Sequence, residues 1–225
     1  WNSRKPVSIP GFSMRADVSD LGLEGMMLAG SFFAVLGSWI SGNAWIGLLT
    51  GILFGAVFSM LHAVMHISYK VNASISGMCV NLLASAVTPL LLNVIFGMSG
   101  KSVSVAAFAK PNWGILQKIP VIGRILGAQN ILFFLTILLV IVSWIFLYKT
   151  TLGLRMRMVS ENPQAASTVG LNVRIYKYFG VAMSGAFAGL GGAYLSLGQM
   201  NLFVEDTTSG RGYIALVINV SGRYN

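Results

Sequence analysis

Charge is missing from four long stretches of this chain, and that gap constrains its fold more than any motif in it. No Asp, Glu, Lys or Arg occurs in residues 25–69, 71–100, 125–148 or 178–204. A charged side chain at the centre of a bilayer costs ~2.5–3.5 kcal/mol on insertion scales, and about 20 apolar residues cross the hydrocarbon core as a helix. The first stretch is long enough for two such helices. Five spans are therefore expected, at about 25–40, 45–66, 74–98, 131–147 and 178–197, with the run 212–220 as the start of another. The fold expected is an all-α polytopic integral membrane protein: an N-terminal segment, 1–20, followed by a single transmembrane domain over 21–225. The chain opens on Trp1 and stops at Asn225, soon after the last apolar run begins, so it reads as truncated at both ends.

Composition supports that class and excludes others. Charged residues make up 9% and hydrophobic ones 55% of the chain, against ~25% charged in a soluble domain. A soluble bundle would not be apolar on every face of its long helices. The net charge of +9 does not imply nucleic acid, because the basic residues lie in the loops between apolar segments, where topology and the anionic membrane surface account for them. Cys79 stands alone, so neither a disulfide framework nor a thiolate site is available. His62 and His66 have a zinc-ligand spacing, but Ala63 stands where a zincin carries glutamate and no third ligand is evident, so no metal is expected. The cluster around Gly189, Gly191 and Gly192 lies inside an apolar helix, which is the wrong context for a nucleotide loop. No Walker sequence occurs anywhere. If ATP powers this protein, another chain binds it.

Orientation follows from the loops. Residues 149–177 carry Lys149, Arg155, Arg157, Arg174 and Lys177 against a single acid, Glu161, which places them in the cytoplasm. Alternation then puts 1–24 and 67–73 inside and 42–44, 99–127 and 200–211 outside, with 99–127 lying partly in the interface. Within the second span, Gly47, Gly51 and Gly55 share one face with Ser59, His62 and His66. Gly185 and Gly189 repeat the pattern in the fifth. Small residues let helix backbones approach closely in lipid, where packing drives association. In the third span, Asn81, Ser85 and Thr88 form a polar stripe that either packs against a neighbour or lines a translocation path, and Pro89 is a point for a kink. Apart from the two histidines near one end, the spans hold no ionisable group, which argues against an ion-gradient-driven secondary transporter.

The cytoplasmic segment has its own punctuation. Asn162 can cap a helix that Pro163 begins, and Gly170 can end it. That leaves a helix of about two turns in which Ala165 and Ala166 expose a small, smooth surface rimmed by arginines. It suits docking into a groove on a soluble partner, and equally an ordinary interfacial loop helix.

The order Glu161, Ala165-Ala166, Gly170 resembles the coupling loop of permease subunits in ATP-binding-cassette importers. More specifically, the chain is similar to permeases of the branched-chain amino acid, ribose and nucleoside type. The stretches 21–30, 151–157, 161–163, 186–195 and 210–216 carry the likeness in family order, and Glu161-Asn-Pro with Gly210-Arg-Gly-Tyr-Ile-Ala points to the nucleoside or simple-sugar branch. The resemblance implies a multi-pass subunit of the bacterial cytoplasmic (inner) membrane with no catalytic residues and no cofactor of its own. Its partners would be an ABC ATPase subunit carrying ATP and Mg, a second permease subunit, an extracytoplasmic solute-binding protein and membrane lipid. Glu161, Asn162, Pro163, Ala165, Ala166 and Gly170 would form the coupling helix. Gly22–Gly25 would be a broken-helix region, which makes Glu24 a candidate for the path or a gate beside Asn81, Ser85 and Thr88. A branched-chain amino acid remains an alternative solute.

Overall fold

The computed structural model describes residues 21–106, 108 and 130–221. The expected N-terminal segment 1–20 and most of loop 99–127 lie outside them. The described residues form eight helices: α1 (Leu23–Ser41), α2 (Ala44–Ala63), α3 (Ala73–Phe96), α4 (Ile131–Lys149), α5 (Thr151–Glu161), α6 (Pro163–Thr168), α7 (Val173–Ala193) and α8 (Arg211–Ser221). Wider π-helical turns extend α2 through Val64–Ser68 and α7 through Tyr194–Met200. Five of these units are long and apolar enough to cross a membrane: Leu23–Ser41, Ala44–Ser68, Ala73–Phe96, Ile131–Lys149 and Val173–Met200. Lipid offers a backbone no hydrogen bonds, so each span must close its own, and helices do this. α3 runs through Pro89 without a break. α7 begins at Val173, so its first turn lies within the stretch 149–177 assigned to the cytoplasmic loop.

Glycine decides which spans meet. α1 and α2 form a hairpin across Gly42, whose φ of 67° suits its place past the end of α1. Along the hairpin, a methyl group on Gly51 would stand 2.8 Å from the Gly30 carbonyl oxygen, so the two backbones touch there without side chains between them. α7 packs on both helices in the same way. A methyl group on Gly55 would meet the Gly185 carbonyl oxygen at 2.5 Å, and Gly189 lies against both Gly30 and Gly51. Gly47, Gly51, Gly55, Gly185 and Gly189 are thus part of one three-helix seam. Phe32 and Leu197, fully buried, lie in the core beside it.

The two ends differ. At the end reached by Ser41 and Phe96, residues 100–105 run beside 201–205: Ser102 N–H donates to the Phe203 carbonyl at 2.8 Å, Glu205 N–H to that of Gly100 at 2.9 Å, and Val105 N–H to that of Asn201 at 3.0 Å. At the other end lie α5, α6 and the basic loop, which charge places inside. From 205 the chain turns back into the bundle, and α8 starts deep within it. Alternation placed 1–24 inside and 200–211 outside, yet Glu24 bonds directly to Gly210 and Gly212. The structure corrects both assignments at their edges. Gly210–Gly212 descends from the loop that pairs with residues 100–105, and Glu24 sits within the candidate span Leu23–Ser41.

Candidate functional site

The depth of that meeting point follows from helix register. Pairing of Gly30 with Gly51 brings Glu24 level with the last third of α2, and its neighbour Gly25 bonds to Asn81, eight residues into α3. At 1.5 Å rise per residue, the junction lies roughly 9–12 Å in from the ends of α2 and α3 nearest the basic loop. Two helices begin here in mid-bundle, α1 at Leu23 and α8 at Arg211.

A helix that starts inside a bundle leaves N–H groups in need of acceptors. α1 starts after Gly22, which offers no capping side chain. Asn81 of α3 supplies the cap: its Oδ1 accepts from Gly25 N–H at 2.8 Å, and its Nδ2 donates to the Leu21 carbonyl at 3.1 Å and to the Tyr213 hydroxyl at 3.0 Å. α8 follows Gly210, whose φ is 80°. Glu24 supplies its cap from α1, Oε1 accepting from Gly210 N–H at 2.9 Å and Oε2 from Gly212 N–H at 2.7 Å. Each of these helix starts is therefore capped by a side chain from another helix. The Glu24 carboxylate, 9% exposed, can be tolerated at this depth because both of its oxygens face backbone donors at a positive helix end. Gly212 must lack a side chain, since a methyl group there would lie 2.6 Å from the Glu24 Cα.

The candidates read from sequence divide here. Glu24 and Asn81 meet at the junction. Ser85 and Thr88 do not join them: Ser85 is exposed with its hydroxyl bonded to the Leu82 carbonyl, and Thr88 is buried with its hydroxyl on the Ala84 carbonyl. The stripe on α3 is thus not one polar surface. Two further expectations change. An ionisable group, Glu24, does lie within the spanning layer. And Tyr213, half exposed, belongs to the site although its residue type gave no hint of it. The available signal was Gly210-Arg211-Gly212, a helix start lacking a capping side chain of its own.

The short helix in the basic loop forms as its punctuation implies. Asn162 Oδ1 accepts from Ala165 N–H at 3.0 Å, Pro163 opens α6, and Gly170 ends the turn at φ 83°. Its surface differs from expectation. Ala166 is fully buried, because a helix this short rests on α5 and α7 and needs one small residue pointing inward. Ala165 is half-buried, and the outward face comprises Glu161, Asn162, Gln164, Ser167, Thr168 and Val169, the last 68% exposed.

Among known proteins, the family described as branched-chain amino acid transport system / permease component matches residues 11–224. The nucleoside ABC transporter permease protein NupC of Lactococcus lactis subsp. cremoris is 38% identical over 95% of this chain and 69% of its own length. The guanosine ABC transporter permease protein NupQ of Bacillus subtilis is 37% identical over 95% of this chain and 69% of its own. TsgC13 of Haloferax volcanii, provisionally named a glucose ABC transporter permease, is 35% identical over 94% of this chain and 64% of its own. The chain thus spans about two thirds of the length of these relatives. No solved structure matches it.

Proposed function

This chain belongs to the family of branched-chain amino acid transport system permease components, and from that premise we propose that it is the membrane-spanning subunit of an ATP-driven importer for a nucleoside or a simple sugar. The single observation carrying the reading is the match to nucleoside and guanosine permeases over 95% of the chain. The site geometry agrees with it. Two helix starts, both positive dipole ends, meet at depth beside the Asn81 amide and the Tyr213 hydroxyl, and such discontinuous helices are where transporters build solute sites. A ribose or hexose ring presents hydroxyls that those groups can hydrogen-bond. Glu24 holds α8 in place and is a positioning residue, with both oxygens already engaged.

The energy source is a separate ATPase pressed against α6, and a second permease subunit completes the pathway, in the cytoplasmic membrane of a bacterium. An external binding protein delivers the solute. ATP-driven closure of the ATPases moves α6, and α5 and α7 transmit that movement to the seam. A ligand or motor shifts a two-state protein only through contacts that differ between its states, so the ATPase must hold the outward face of α6 differently in each. The test is uptake of tritiated guanosine, uridine or ribose into proteoliposomes holding the complex purified with its own ATPase. ATP-dependent uptake of one of them, lost on Val169→Glu, is expected. Uptake that needs an ion gradient and ignores ATP would sink the proposal.

A further inference from the structure

α4 stands apart from the glycine seam. It packs chiefly against α5, and partway along it a cavity of about 450 Å³ lies between Phe133, Thr136 and Val140 of α4 and Phe187 and Gly191 of α7. Outside its own helix, a methyl group on Gly191 would meet nothing closer than the Met27 Cε at 3.6 Å. No backbone contact locks α4 to α7 at that point, unlike the contacts at Gly185 and Gly189. At one end of α4, Asn130 donates from Nδ2 to the Gly198 carbonyl. At the other, Thr150 alone separates α4 from α5. The span is tied at its ends and has room to tilt between them.

A one-residue link is a hinge, because backbone dihedrals alone set the angle it makes. Three contacts fix this one. Gly153 lies so close to the Leu147 carbonyl that no side chain fits between them. Met156, fully buried, packs with Leu147. Arg157, the seventh residue of α5, reaches back over the ring of Tyr148, its Cζ 4.9 Å from the centroid. Among the described residues no hydrogen-bond acceptor meets its buried Nε–H, so the negative face of that ring is what attracts the guanidinium. At its far end α5 passes into α6 through Asn162, which caps both helices. A displacement of α6 therefore tilts α4 when the elbow at Thr150 is stiff, and is absorbed there when it is slack. On the transport reading, we propose that the Arg157–Tyr148 contact is the brace that stiffens this elbow. Arg157 is then a positioning residue that turns movement of α6 into rotation of α4 about its tie at Asn130. Arg155 is the natural control: it is exposed, and its 3.3 Å contact with the Tyr176 hydroxyl of α7 is open to solvent and adds little.

The test uses the complex purified with its own ATPase, in proteoliposomes. Spin labels at Leu138→Cys on α4 and Leu53→Cys on α2, both exposed, in a Cys79→Ser background, report the distance between the two helices without nucleotide and with ATP and vanadate. That distance should change on trapping. In Arg157→Met and Tyr148→Leu it should stay near its nucleotide-free value although ATP is still split. ATP hydrolysed per tritiated guanosine imported should rise at least about threefold, the weak end of what a partly buried cation–π contact is worth. Tyr148→Phe keeps the ring face and should behave as the wild type, as should Arg155→Met. A merely structural role would lower hydrolysis and uptake in proportion and leave their ratio unchanged, which would overturn the brace. So would equal damage from Tyr148→Phe and Tyr148→Leu, equal damage from Arg155→Met and Arg157→Met, or a wild-type distance that ignores ATP. A distance that responds to ATP in a complex importing neither guanosine, uridine nor ribose leaves the brace standing and sinks the solute assignment instead. Should Arg157→Met aggregate, the Leu and Phe variants of the half-buried Tyr148 decide alone.

Discussion

The most apolar span of this protein is its least buried, and the least apolar is its most buried. α4 has the highest mean hydropathy of the five spans, yet only 11% of its window is buried; the span from Val173, the lowest, is 67% buried, and α1, nearly as low, 61%. In water the order would be reversed. In lipid there is no reward for hiding a leucine from hydrocarbon tails, so spans associate where small residues let backbones touch. α4 reads Ile-Leu-Phe-Phe-Leu-Thr-Ile-Leu-Leu-Val with no glycine in its 19 residues, while α7 carries Gly180, Gly185, Gly189, Gly191 and Gly192.

The harshest attack on this contrast is to fill the seam. Gly51→Leu or Gly189→Leu would force side-chain carbons into the backbone of a neighbouring helix. The cost should reach or exceed the ~3 kcal/mol upper range of overpacking. The variants should fail to give a monodisperse, thermally cooperative protein in detergent. A cooperative Gly189→Leu variant with an unchanged melting temperature would mean the seam is not what holds α1, α2 and α7 together.

A second attack targets the junction these helices carry. In Glu24→Gln one of the two N–H groups at the start of α8 loses its acceptor and faces an amide donor. Hydrogen bonds to a charged group are worth about 1.5–3 kcal/mol each, so the melting temperature should fall clearly and uptake with it. Glu24→Asp, shorter by one methylene, should recover neither in full. Unimpaired stability in Glu24→Gln would show that α8 is held from elsewhere.

Asn81→Ala should cost somewhat less, about 1–3 kcal/mol for the partners it strands at Gly25 and Leu21. Because Asn81 caps the first turn of α1, from which Glu24 reaches across to cap α8, the double variant should not be additive, with an interaction of at least about 0.5 kcal/mol. Strict additivity in a thermal-melt cycle would separate the two caps.

What could be read from the chain, and what could not, follows the same division. Span number was legible because charge gaps and hydropathy are local properties of sequence. The seam was legible too, since glycine every fourth residue states a helical face. The junction was only half legible. Glu24 and Asn81 stood out as polar groups in apolar surroundings, but their connection spans 186 residues to Gly210 and 132 to Tyr213. No periodicity within one helix can announce a cap supplied by another. The inward turn of Ala166 was hidden for a similar reason: alanine suits either face of α6, and only contact with α5 and α7 decides which.

The mildest perturbation is the most informative about α4. Leu138 is 56% exposed on the face that turns from the bundle, where lipid contacts are interchangeable. Leu138→Ala should therefore change stability by no more than about 0.5 kcal/mol, the ordinary range for a surface position, in contrast to any substitution in the glycine seam. The outward surface of α4 continues through Ile141, Val142 and Ile145, all 45–51% exposed, so a second subunit seated there would bury several of them at once. In that case Leu138→Ala would leave the monomer's melting unaltered and shift the monomer–dimer equilibrium measured in detergent. An unshifted equilibrium leaves lipid as the neighbour of α4, and dimer contacts must then come from another face, for which the exposed Leu82 and Val94 of α3 are the next positions to test.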